Sequence, residues 1–185
     1  TYNLNQIDLK QGIPEGLKTL VIAGPKDKFS DYELFQIDQA LMQGTNLALF
    51  LDSYKQTTSP KQMRRQRSFT QLSTGLEKLL KNYGLEMKKS IVLDENCYEQ
   101  DLSRSSRSRR GGKQPIYFAP LIKNKNINQQ PKFMKNLTRL VCLKNAPLST
   151  YNASIKENSL QATKLFTSSQ KSWTMRSSNI QFNPA

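Results

Sequence analysis

Histidine is absent from this chain of 185 residues, and no other absence removes as much chemistry. Ser-His-Asp and Cys-His catalysis, histidine-ligated zinc and a histidine pH switch are all excluded within it. Cysteine is scarce: Cys97 and Cys142 stand far apart and make no C-x-x-C pair. A disulfide between them is open in an oxidising compartment, and two buried free thiols are the expected state. Long apolar runs are missing too. The longest clear one, Leu47 to Leu51, falls far short of the roughly 18 to 20 residues of a bilayer span, so this segment neither crosses a membrane nor carries a secretory apolar region. The chain opens on Thr1 rather than Met, and is therefore read as an excised piece of a longer protein.

The phosphate-binding and nucleophile motifs are also wanting. Neither G-x-G-x-x-G nor G-x-x-x-x-G-K-[ST] occurs, and Gly24-Pro25 at a strand end is no substitute, because proline removes an amide that a phosphate could use. Gly111-Gly112-Lys113 lies in a polar loop with neither the strand nor the helix that such a cradle needs. No G-x-S-x-G elbow presents a serine. Cys97 follows an expected strand but sits between Glu95 and Glu99, whose charges raise a thiol pKa, so it is not expected to act as a nucleophile. No cofactor and no metal are expected.

Positive charge is plentiful and uneven. Residues 1–93 carry 13 basic and 9 acidic groups, and residues 94–185 carry 15 and 5, for a net charge of +14 overall. One cluster is Lys61, Arg64, Arg65 and Arg67; the other is Arg104, Arg107, Arg109, Arg110 and Lys113. The stretch SRSSRSRRGGK has no apolar residue to bury and reads as a solvated loop. Such a loop can neutralise phosphates or rest on an anionic surface. Base-stacking aromatics are missing between Leu102 and Pro115, which makes nucleic acid the lesser expectation.

The apolar residues sort into discrete elements. Leu17 to Ala23 is a near-continuous strand, and Asn46 to Leu51 is a second one ending at Asp52. Between them Ser30 and Glu33 form an S-x-x-E capping box, Leu34, Ile37 and Leu41 share a helical stripe, and Gly44 closes the helix. Residues 53–69 read as a long polar stretch. A second helix places Leu72, Leu76, Leu79, Leu80 and Tyr83 on one face up to Gly84, and Ile91-Val92-Leu93 makes a third strand. The alternation βαβαβ over residues 1–93 predicts an α/β fold, a Rossmann-like open sheet (flavodoxin or class I amidotransferase-like) with helices on both faces. After a basic loop at 94–114, residues 115–185 predict a mixed, β-rich extension of the same domain. Its strands are expected at Ile116 to Phe118, Leu137 to Leu143 and Lys164 to Thr167.

Open α/β sheets bind ligands beyond the carboxyl ends of their strands. The residues placed there are Gly24, Pro25, Asp52 and Ser53, with Asp94 ending the third strand. Thr167, Ser168 and Ser169, close to the single tryptophan Trp173, could line a sugar or peptide cleft; alternatively the hydroxyls satisfy turn amides while Trp173 seals the core.

Taken in order, several strings resemble one family. Ile13-Pro14, the strand end Ala23-Gly24-Pro25-Lys26, the helix from Glu33 to Gly44 with Asp38 inside it, and the strand ending in Asp52 match its opening. GLEKLLKNYGLEMKKSIVLDE, YFAPLI and LFTSSQKSW follow in the family's order. The chain thus resembles the auxiliary component of gliding-motility-type ABC transporters, an uncharacterised ABC-transport auxiliary domain. It departs from the pattern at Gly44-Thr45 and Asp52-Ser53, where the family often has Gly-Gly and Asp-Pro. The resemblance implies a non-catalytic extracytoplasmic domain on the periplasmic face. It would be anchored through membrane segments outside this piece and would work with an ABC permease and ATPase, recognising a small ligand, a cell-surface polymer or a protein partner. A nucleic-acid-binding protein and a divergent amidotransferase-like hydrolase are the alternatives.

Overall fold

The strand-helix-strand unit forms where the apolar pattern places it. In the computed structural model, which describes residues 3–58, 67–102 and 112–176, β1 (Thr19–Ala23) and β2 (Asn46–Phe50) pair in parallel from Thr19↔Asn46 to Ala23↔Phe50. Lys61, Arg64 and Arg65 of the first basic cluster, and Arg104, Arg107, Arg109 and Arg110 of the second, lie outside the described residues.

Helix α1 (Asp31–Met42) starts on the expected capping box. The Ser30 hydroxyl accepts from the Glu33 amide at 3.2 Å, and the Ser30 amide donates to the Glu33 carboxylate at 2.7 Å. Two orphan donors of the first turn are thereby satisfied. Helix α2 (Leu76–Asn82) is shorter, and its start is held differently: the Glu77 carboxylate accepts from the amides of Thr74 (3.1 Å) and Gly75 (2.7 Å).

Both helices pack on the same face of the β1–β2 pair. Leu20 and Ile22 of β1 bury against Ile37 of α1 and Leu76 and Leu79 of α2, with Leu34, Leu47, Leu49 and Tyr83 packed around them. Burial in β1 alternates strictly, so Val21 faces the other way and is 54% exposed, while Phe50 at the end of β2 is 64% exposed. The expectation of helices on both faces is therefore corrected: this sheet face is open.

The expected single open sheet is also replaced. Where a polar stretch was anticipated, β3 (Tyr54–Thr58) and β4 (Arg67–Gln71) pair antiparallel, and Tyr54 and Phe69 from them bury with Ile91. The seven-residue α2, about 10 Å long, then delivers the chain to β5 (Leu85–Met87). β6 (Ile91–Asp94), the expected third parallel strand, pairs with neither β1 nor β2. Its partner is β11 (Ser172–Met175), antiparallel, and its Val92 amide donates to Asn145 O at 2.9 Å. A continuous apolar run reports that both faces of a strand are covered; it carries no information about which strand lies beside it.

The C-terminal half is strand-rich, as expected. β7 (Cys97–Leu102) and β9 (Arg139–Val141) flank the long β8 (Gly112–Lys123), which contains Ile116 to Phe118. The ladder between β7 and β8 slips between Cys97 and Tyr98, a bulge that accommodates Pro120 opposite Cys97. β10 (Leu148–Thr150) pairs with β5 and leads into α3 (Asn152–Glu157). The expected strand at Lys164 to Thr167 reduces to one bridge, Phe166 to Ile127. Ile122, Ile127, Met134 and Cys142 form the core of this half. The described residues are thus mixed α/β with several small sheets and three α-helices, none long and apolar enough to cross a membrane.

A candidate apolar binding groove

The end of the β1–β2 pair is satisfied internally. The Gly24 amide donates to Phe50 O at 2.7 Å, and Pro25 has no amide, so neither N–H is free for an anion. Asp52 forms an ion pair with Lys26. Ser53 is buried; its hydroxyl donates to Ser90 O at 3.4 Å and its carbonyl accepts from the Leu72 amide at 3.0 Å. These four residues sit where the sequence placed them, and each except Pro25 is tied to another part of the chain.

The hydroxyl-rich segment is anchored just as firmly. Asp94 at the end of β6 is 1% exposed, and its carboxylate accepts from the Ser169 hydroxyl (2.6 Å), the Ser169 amide (2.8 Å) and the Asn96 amide (2.8 Å). A buried carboxylate is tolerated when several donors converge on it. Asn126 donates to Ser168 O at 3.0 Å and to the Thr167 hydroxyl at 3.3 Å, and the Ser168 and Ser172 hydroxyls lie 2.9 Å apart. The hydroxyls do satisfy a turn. Trp173, by contrast, does not seal a core: it lies 5.5 Å from the Tyr117 ring at a 55° tilt and is 37% exposed.

Cys97 and Cys142 are both free and buried. Burial pushes the Cys97 thiol above its ordinary pKa, and the charges of Glu99 and Asp94 push it further; burial does the same to Cys142. Both thiols are held in the protonated, weakly nucleophilic form. Of the second basic cluster, Lys113 is described, and it pairs with Glu99 across β7 and β8 at 3.4 Å.

An apolar concavity lies elsewhere, between the helical unit and the C-terminal half. It is a groove of about 790 Å³ with walls from β2 (Leu47, Leu49), α2 (Leu79, Leu80, Tyr83) and β8 (Pro120, Ile122). Leu148 of β10 and Ile155 of α3 extend the apolar lining, and residues 160–168 run along it as a strap. Its backbone is fixed at both ends. Leu160 N donates to Ile155 O at 2.8 Å; Asn128 N donates to Leu165 O at 2.8 Å; Thr167 N donates to Asn126 O at 2.9 Å. Thr167 and Ser168 line the groove, whereas Gly24, Pro25, Asp52, Ser53 and Ser169 do not. The sequence-nominated residues therefore fall into two separate groups, and only part of one borders the groove.

The aliphatic wall residues of the C-terminal half went unrecognised. Leu148, Ile155, Leu160 and Ala162 follow neither a 2- nor a 3.6-residue period, so periodicity could not reveal a shared surface. A second, polar cleft of about 620 Å³ beside α1 is lined by Gln36, Gln39 and Gln43 with Glu15 and Lys18.

The described residues thus form a mixed α/β fold with an apolar groove between its helical unit and its C-terminal half. The chain belongs to the family described as ABC-type uncharacterized transport system, which matches residues 1–185. No curated protein and no solved structure matches it.

Proposed function

We propose that this domain is a non-catalytic recognition module of an ABC-type transport system, of the kind associated with gliding motility. In this reading it works outside the membrane, on the periplasmic face, and is anchored through other segments of a longer protein. Its partners are the permease and ATPase subunits of the same system. The observation that carries the reading is family membership across the whole of residues 1–185. Two structural features support it. Both cysteines are kept protonated by burial, which counts against the amidotransferase-like alternative. The groove of about 790 Å³ offers apolar contact area without a converging set of acids and bases, which suits holding a ligand better than transforming one.

Affinity capture of the intact membrane protein in mild detergent should recover an ABC permease and ATPase, and recovery of neither would remove the reading. The nucleic-acid alternative draws on the net charge of +14 and on the arginine-rich loop, which lies outside the described residues apart from Gly112 and Lys113. It requires retardation of single- or double-stranded probes that weakens steeply with salt. The expected result is no retardation at physiological ionic strength.

A further inference from the structure

The groove lining is mainly apolar, with Leu49, Leu80, Ile122 and Leu148 among its aliphatic residues, and the strap from Leu160 to Ser168 interleaves Leu160, Ala162, Leu165 and Phe166 with the polar Gln161, Thr163, Lys164, Thr167 and Ser168. Lys164 is the single charged residue in the lining, is exposed, and forms no ion pair among the described residues. Its backbone is held in place, since Lys164 O accepts from the Asn128 side-chain amide at 3.1 Å. The backbone that carries this exposed cation is thus anchored beside an aliphatic trough.

We propose that the groove binds a long-chain carboxylate, with its hydrocarbon tail along the leucine floor and its anionic head beside the Lys164 ammonium. The inference deepens the recognition reading above and rests on it. The volume falls within the range of about 300–1,000 Å³ usual for small-molecule sites. Methylene groups gain by leaving water for the aliphatic floor, so the tail supplies most of the affinity. A carboxylate drawn fully inside would lose its hydration without a sufficient set of donors, which keeps the head at the strap. Sugars and inorganic ions fit poorly, because the floor offers them few hydrogen-bond partners.

The test is titration of the full chain with cis-parinaric acid, whose fluorescence rises in an apolar site, followed by displacement with palmitate and with hexadecanol. Saturable binding in the micromolar range is expected. Ala162→Trp, an exposed strap position, fills the groove without removing a core side chain and should weaken binding at least tenfold, with an unchanged circular dichroism spectrum. Lys164→Glu should weaken palmitate about tenfold and hexadecanol by less than about twofold. Absence of saturable binding, indifference to Ala162→Trp, or equal losses for acid and alcohol in Lys164→Glu would each overturn the proposal. Capture of permease and ATPase alongside absent palmitate binding would remove this inference and leave the transport reading standing; palmitate binding without capture would do the reverse.

Discussion

Asp94 shows how one side chain joins two distant parts of the chain. Its carboxylate gathers Asn96 two residues on and both donors of Ser169 from the C-terminal half. Replacing it by alanine leaves those amides without their acceptor in a buried place, so Asp94→Ala should cost about 3 kcal/mol, read as a lower urea midpoint. Ser169→Ala removes one hydroxyl bond and should cost about 1 kcal/mol. Equal losses in the two variants would mean that the carboxylate itself is not the anchor. Glu33 gives a pH-dependent counterpart. Hydrogen bonds from the Ser30 backbone and side chain hold its pKa below the ordinary 4.5. A depressed folded-state value contributes stability that is present above pH 4.5 and is lost as pH falls through the lowered value. The stability difference between the wild type and Glu33→Ala should therefore be constant from pH 6 to 5 and should shrink below about pH 4; a difference that stays flat to pH 3 would argue against the capping role.

At the scale of elements, the end of α2 is where the helical unit meets the rest of the fold. Gly84 adopts φ 74°, its carbonyl accepts from the Tyr151 amide at 2.8 Å, and a Cβ there would stand 2.6 Å from Ile155 Cγ1. Gly44 closes α1 at φ 96° with open space where its Cβ would be. Alanine at position 44 meets conformational strain alone, about 1 kcal/mol, whereas at position 84 it also collides with α3 and should cost about 2 kcal/mol or more. Thermal denaturation of the two variants separates these contributions. Because Ile155 also lines the groove, Gly84→Ala should in addition weaken any ligand held there.

Across the whole molecule, the layering is one-sided. Both long-range helices bury Leu20 and Ile22, and the opposite face leaves Val21 and Phe50 in solvent. Ile22→Ser should therefore cost about 3 kcal/mol or more, while Phe50→Ser should stay within about 0.5 kcal/mol. Comparable losses for the two would indicate that the open face is covered in solution. Such a face is uncommon for parallel strands, which are ordinarily covered on both sides, and covering strands of this kind is what the near-continuous apolar run had suggested.

Within single elements, much was legible in the sequence alone. The capping box at Ser30 and Glu33, the strands on either side of α1, the buried pair of thiols and the pKa-raising setting of Cys97 depend on neighbours a few residues away or on burial that composition already signals. The acidic ends of strands were legible as well, but their roles were not: Asp52 meets Lys26, and Asp94 meets Ser169 from the far end of the chain. Tertiary structure alone decided that β6 pairs with β11, that both helices share one face, and that residues 160–168 run along leucines from five other elements. The physical reason is that local patterns fix which surfaces must leave water, whereas the choice of covering partner depends on chain paths and turns that no short window of sequence contains.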